Sequence, residues 1–252
     1  MALIDAETAW EILFRYVDDC LEIDSPSLLA VFAIGSLPAG YYRPGQSDID
    51  AVLLVQDGAE KLWGSCLEPS SELKILNRSY RERYRIPKDF GPFPISASEL
   101  FPPYDPHKEL VCEIARLKIQ GRRVYGCFDL DVIPMPKGTD VLADAQHFEE
   151  WWRDESAPSV TTEGLSPTAC ASTILLHLAR FLWIKRDVIE FDKRRILARY
   201  LDTEPPYIHP EAFSLVERSL SGMELSQRDE DTLRAFALLL RTEINGLLGI
   251  HV

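Results

Sequence analysis

Asp48 and Asp50, in the run Ser47-Asp48-Ile49-Asp50, are the side chains whose spacing suggests chemistry most directly. The apolar residues that follow, Ala51-Val52-Leu53-Leu54-Val55, predict a strand, and alternation along it puts both carboxylates on one side with Ile49 on the other. Two carboxylates held side by side repel each other unless a cation sits between them. Their oxygens suit Mg²⁺, which takes one or two carboxylates together with substrate phosphates. Upstream, Gly35-Ser36 closes a second apolar run, Leu28–Ile34, too short for a helix and read as a buried strand. A chain turning there presents backbone N–H groups to an anion. The bland reading is a strand-turn-strand whose aspartates only solvate a strand start, and a bare Asp-x-Asp would favour it.

The remaining elements must position these residues. Asp5 to Leu21 predicts a helix with Trp10, Leu13, Phe14, Val17 and Leu21 on the face that packs on the sheet. Gly40, Pro44 and Gly45 mark the segment between the two strands as a loop or broken helix. Ala59 to Arg85 reads as mostly helical, interrupted at Pro69-Ser70-Ser71. Its basic cluster, Arg78, Arg81, Arg83 and Arg85, is most simply a solvated helix face, with a phosphate-facing role the lesser reading. Phe93 to Ala97 reads as a short edge strand, because Pro94 cannot donate to a ladder. His107 to Gln120 follows as a helix with Leu110, Val111, Ile114 and Leu117 inside and Gly121 at its C-terminal end. Arg122–Gly126 is a brief extended segment.

A proline-rich linker, Ile133 to Gly138, then separates an α/β half from one that reads as helices alone. We expect helices over Thr139–Glu155, Pro167–Asp187, Asp192–Leu201, Pro210–Leu220 and Ser226–Leu248, the last opening on Ser226 with Asp229 three residues on. The predicted fold class is thus an α/β (α+β) N-terminal domain with a mixed sheet, residues 1–135, followed by an all-helical domain, residues 136–252.

Charge and composition narrow the partners. The chain has 252 residues, enough for a substantial core, and a formal net charge of −13, which argues against broad nucleic-acid binding through lysines and arginines. The same charge leaves room for a cationic small substrate, although an acidic soluble surface explains it equally well. No apolar run is long enough to span a bilayer, and the N-terminus, with acids in its first turns, is not a signal peptide. Five scattered cysteines without a C-x-x-C pair favour free thiols in a reducing compartment, so the expected location is cytoplasmic.

Gly35-Ser36, eleven intervening residues and Asp48-Ile49-Asp50, framed by apolar strands, resemble the signature of the DNA polymerase β-like nucleotidyltransferases. The resemblance implies that Gly35 and Ser36 hold nucleotide triphosphate oxygens, with Ser47 beside them, and that Asp48 and Asp50 bind Mg²⁺ and are catalytic. The order of elements, with a helix running into Gly121-Arg122-Arg123-Val124-Tyr125-Gly126 and then a helical half, is similar to the aminoglycoside adenylyltransferases of the streptomycin and spectinomycin type. Within Thr173–Lys193, the positions Arg180, Trp183 and Lys193 match that family most nearly, which implies a nucleotide-binding role for Lys193. Trp183 reads more simply as a core aromatic. A lysine at a helix N-terminus is unfavourably placed for structure alone, which favours a phosphate-binding role.

The implied activity is adenylyl transfer from Mg-ATP to a hydroxyl of a small acceptor, aminoglycoside-like or otherwise cationic, with the helical half closing over the acceptor. Glu149, Glu150, Asp154, Asp187 and Glu190 are the acids available to an acceptor amine. One departure stands out. The superfamily places a third carboxylate on a later strand, and the strand aligned here, Phe93 to Ala97, carries Pro94 at that position. Glu72, Asp89 and Glu99 are the nearby candidates, and none is in register, so the general base is unassigned. A nucleotide-binding regulatory or partner module without turnover is therefore an alternative. A protein-modifying nucleotidyltransferase is another.

Overall fold

The computed structural model describes residues 3–45, 47–86, 90–105, 108, 110–153, 167–203 and 210–249, with side chains described in all but short stretches of these. Its chain falls into two compact units, Met1–Pro136 and Lys137–Val252.

In the first unit four strands form one sheet in the order β3-β2-β1-β4, where β1 is Leu28–Ile34, β2 Asp50–Val55, β3 Phe93–Ser96 and β4 Arg122–Gly126. β1 runs antiparallel to both β2 and β4, while β2 and β3 are parallel, so the sheet is mixed. β1 and β2 are almost wholly buried, as a strand covered on both faces must be, and this is why they read as unbroken apolar runs. β3 is an edge strand, where Pro94 loses no ladder bond.

One face of the sheet, with Val31, Ala33, Ala51, Leu53 and Val55, is covered by α1 (Ala6–Asp24) and by α3 (Ser71–Tyr84), which follows the short α2 (Glu60–Trp63). The other face, with Phe32, Ile34, Val52 and Leu54, takes α4 (Val111–Gln120) through Ile114 and Leu117. α1 starts where Asp5 accepts a hydrogen bond from the Thr8 N–H at 2.8 Å. Its buried stripe is Ala9, Ile12, Leu13, Tyr16, Val17 and Cys20, which corrects the expected face: Phe14 is 52% exposed and Trp10 half-buried. Both stripes have helical spacing. The observed one is selected by tertiary contacts, since Tyr16 donates to Asn77 of α3 at 2.6 Å and Trp10 stacks under the Arg122 guanidinium. α4 begins later than the expected His107.

The second unit consists of α5 (Gly138–Arg153), α6 (Pro167–Arg186), α7 (Lys193–Thr203), α8 (Pro210–Leu220) and α9 (Gln227–Leu248). Among the described residues no strand follows β4. α6 is the hub: Ile174, Leu175, Leu178, Phe181 and Leu182 are all buried in a core shared with α7, α8 and α9. Each such side chain withdrawn from water contributes about 1.5–3 kcal/mol. Trp183 is also buried, 4% exposed, and meets Phe191 edge-on, so the core reading holds for it.

Candidate active site

The antiparallel register of β1 and β2 brings the two halves of the motif together. Ile34 stands directly opposite Asp50, so the chain leaves β1 at Gly35 next to the residue at which β2 begins. Gly35 has φ +76°, in the left-handed region that glycine enters without steric cost. Its open side faces the acid: a Cβ placed on it would lie 3.3 Å from Asp50 Oδ2. The turn is closed by Ala39 N–H donating to Gly35 O and Tyr41 N–H donating to Ser36 O, at 3.3 and 3.1 Å.

Ile49 is fully buried, whereas Asp50 is half-buried and Asp48 exposed, as alternation requires. Asp48 lies just ahead of the strand rather than in it. Burial and then the Asp48 and Asp5 carboxylates push the Tyr42 phenol above its ordinary pKa, which sets the Tyr42 ring near Asp48. Ser47 ties the loop together, its Oγ accepting from Arg43 N–H and its own N–H donating to Arg43 O, both at 3.0 Å. Two carboxylates beside an open turn fit a Mg²⁺ ion that takes its other ligands from phosphate and water. Asp48 and Asp50 are the side chains that would hold such an ion; among the described residues no cluster of three metal-ligating side chains is assembled.

The β2–β3 register settles what stands on the other side of Asp50. Val52 pairs with Phe93 and Ile49 bridges Phe90, so the position beside Asp50 is residue 91 and not residue 94. That residue is Gly91, and a Cβ on it would lie 3.3 Å from Asp50 Oδ1. Pro94 pairs with Leu53, three residues farther along. The expected alignment on Pro94 is thereby corrected, and β3 brings no carboxylate to the register of Asp50.

The proposed substitutes fare differently. Glu99 works at the far end of the strand, where it receives the Ser96 N–H at 2.8 Å and pairs with Lys108. Glu72 is exposed in the first turn of α3. Asp89 lies outside the described residues.

The charge the sequence reading missed comes from α4. Glu113, Arg116 and Gln120 lie half-buried along one stripe of it, at helical spacing of three and four. Burial disfavours the Arg116 cation, yet the Glu113 and Asp50 carboxylates outweigh it and hold its pKa above the ordinary value. Glu113 Oε2 lies 3.1 Å from Arg116 Nη1, and Gln120 Nε2 donates to the Tyr41 hydroxyl at 3.4 Å. Polar residues at i, i+3 and i+7 beside the apolar stripe of the helix were the available signal.

Lys193 belongs to the second unit. It is the first residue of α7, is exposed, and its Nζ donates to Ser172 Oγ at 3.1 Å. Of the acids considered for an acceptor amine, Glu190 receives the Phe191 and Asp192 N–H groups at 3.0 Å. Asp187 ends α6 with φ +53°. Asp154 and the side chains of Glu149 and Glu150 lie outside what is described.

No protein-family model matches the chain, and no curated protein does. Among solved structures it is similar to spectinomycin adenyltransferase AAD(9) from Enterococcus faecialis, a structure with ATP and spectinomycin, at 16% identity and TM-score 0.60, covering 92% of this chain and 99% of that one. The chain has the nucleotidyltransferase fold. A toxin-antitoxin structure with AMP-PNP matches at 13% identity over 55% of this chain and 86% of that one, and its TM-score of 0.27 carries no argument.

Proposed function

We propose that the protein is a nucleotidyltransferase that moves the adenylyl group of Mg-ATP to a hydroxyl of a small acceptor. The observation that carries this reading is the corner where Gly35, in a left-handed turn, packs its Cα directly against the Asp50 carboxylate inside a nucleotidyltransferase fold. The Gly35 and Ser36 N–H groups and the Ser36 hydroxyl hold terminal phosphate oxygens. Asp48 and Asp50 hold Mg²⁺, which when bound neutralises charge on the phosphates. Arg116, paired with Glu113 and held charged in part by the Asp50 carboxylate, is a further cation for the transferring group. Lys193 is carried as a nucleotide contact on its family resemblance, and Ser47 as a residue that shapes the loop between the two motif halves. The acceptor oxygen bonds to the α-phosphorus as the bond to the β-phosphate oxygen breaks and pyrophosphate leaves, the hydroxyl proton passing to solvent water. The ATP and spectinomycin in the structure of that neighbour make ATP the donor of choice and an aminoglycoside-type molecule one acceptor to try. The five cysteines, all free, fit a reducing compartment such as the cytoplasm.

The test is pyrophosphate release and adenylyl incorporation with Mg-ATP and a panel of acceptors, for the parent chain and for Asp50→Asn. We expect the variant to fold normally and to lose turnover by at least about a hundredfold, since a ligand charge to the ion is removed. An Asn variant as active as its parent would overturn the site.

Gly91 favours a second reading. With no carboxylate on β3 beside Asp50, the chain holds nucleotide without transferring it, as a regulatory module. Tight Mg-dependent ATP binding without pyrophosphate release, across every acceptor including candidate proteins, identifies that case.

A further inference from the structure

The first unit contains a groove that the nucleotide site does not use. It has a volume of about 940 Å³ and runs between α3 and the residues leading into the edge strand β3. Among the described lining residues, Lys74, Arg78 and Arg81 of α3 and Arg85 just after it face one acid, Glu82. That is three net positive charges in one groove of a chain whose net charge is −13. The opposite wall is Phe90 and Gly91, with the flanking Pro92 and Phe93. This wall is fixed to α3, because Asn77 Nδ2 donates to Pro92 O at 2.9 Å while its Oδ1 accepts from Tyr16.

Gly91 joins the groove to the catalytic corner. It lines the groove, and the position of its missing Cβ is 3.3 Å from Asp50 Oδ1. Where the resemblance calls for a third carboxylate, this chain has no side chain at all, only a glycine against the Asp50 carboxylate. An acid there would repel an anion arriving along the groove, and the glycine removes that obstacle. Arginines pair with phosphate through two parallel N–H donors, and the volume is that of a site for one small molecule.

We propose that this groove seats a small hydroxyl-bearing phosphate ester, and that the acceptor is therefore anionic at one end rather than cationic. The proposal rests on the nucleotidyltransferase reading for its link to Asp50, but the binding itself is measured separately. The acceptor's phosphate lies among Lys74, Arg78 and Arg81, and its hydroxyl end points past Gly91 toward Asp50. The two ion pairs formed by these side chains, Arg78 with Glu82 at 2.9 Å and Lys74 with Glu68 at 3.8 Å, are exposed and exchange readily for a phosphate.

The experiment is calorimetric titration of the full chain with ribose 5-phosphate, with a ribonucleoside monophosphate, with spectinomycin and with a short single-stranded oligoribonucleotide. Each is run with and without saturating Mg-ATP, on the parent and on the Arg78→Glu/Arg81→Glu double variant. Melting and circular dichroism verify that the variant is folded. We expect both monoesters to bind the parent, more weakly as salt rises, and the double variant to lose at least tenfold in their affinity with Mg-ATP affinity unchanged. A parallel loss of Mg-ATP affinity would show the groove to be part of the nucleotide site and overturn the proposal. So would equal monoester binding by parent and variant, no monoester binding under either condition, tighter spectinomycin binding by the parent than by the variant, or an oligonucleotide that outcompetes the monoesters. Failure of the parent to bind Mg-ATP sinks the transferase reading alone, because monoester binding is read without nucleotide.

Discussion

At the scale of single residues, the site depends on places where a side chain is missing. Gly35 and Gly91 approach Asp50 from its two neighbouring strands, each leaving room for a carboxylate oxygen where a Cβ would make a tight contact. Replacing Gly35 with valine adds bulk at 3.3 Å from Asp50 Oδ2 and forces an L-residue to φ +76°, a backbone cost of about 1–2 kcal/mol. We expect Gly35→Val to melt lower and to lose Mg-ATP binding. Gly40→Ala separates the two effects. Gly40 has φ +82°, with nothing within 4 Å of the added carbon, so it should cost similar stability and leave nucleotide affinity intact. Equal loss of affinity in both variants, measured by titration beside thermal melts, would reduce the Gly35 effect to loop strain. That Gly35 and Asp50 come together was legible in the sequence because the strand-turn-strand is local and its spacing informative. Gly91 was not, since nothing in its immediate neighbourhood marks it, and Arg116 was marked only by its helical spacing from Glu113 and Gln120.

Among the elements, caps are where residue identity translates most directly into structure. Ser226 accepts from Asp229 N–H while Asp229 accepts from Ser226 N–H, each at 3.2 Å, and this reciprocal pair begins α9. The hydrogen bond from Ser226, reinforced by Arg218, holds the Asp229 carboxyl below its ordinary pKa. Ser226→Ala should destabilise the second unit by about 1 kcal/mol. Chemical denaturation measures that loss, and hydrogen exchange should show faster exchange confined to the first turn of α9. Exchange unchanged in that turn would mean that tertiary packing, not the cap, sets the start of the helix. The helices of this unit were readable because their apolar residues recur at 3.6-residue spacing. The face of α1 was misread because two overlapping stripes satisfy the same period, and only the tyrosines and Asn77 of its neighbours choose between them.

For the whole molecule, the sheet unit concentrates groups that fold in their neutral form. Burial lifts the Tyr16 phenol well above the ordinary 10.0 and pushes the Cys20 thiol from 9.0 up to about 12. Burial, with a hydrogen bond to the Asp19 carboxylate, raises Tyr80 as well. The unfolded chain releases these protons first, so their contribution to stability is intact below the ordinary thiol and phenol values and is lost as pH climbs past them. We predict that melting temperature falls steeply above about pH 10. Tyrosinate absorbance in the folded protein should rise in two steps, the surface phenols first and the buried ones together with unfolding. A single step at the ordinary phenol value would show that Tyr16 and Tyr80 are open to solvent.

The chain alone determined its elements and the Gly35-Ser36 to Asp48-Asp50 motif. Periodicity, turn residues and caps act over a few neighbours and need no knowledge of the fold. The tertiary structure alone decided which residues meet at Asp50. The β2–β3 pairing spans some forty residues of sequence, so a shift of register costs nothing locally yet decides whether residue 91 or 94 faces the carboxylate. The packing of α4 on the β1–β2 face likewise delivers Arg116 to a site far from it in sequence, through apolar contacts by Ile114 and Leu117 that carry no mark of the charge beside them.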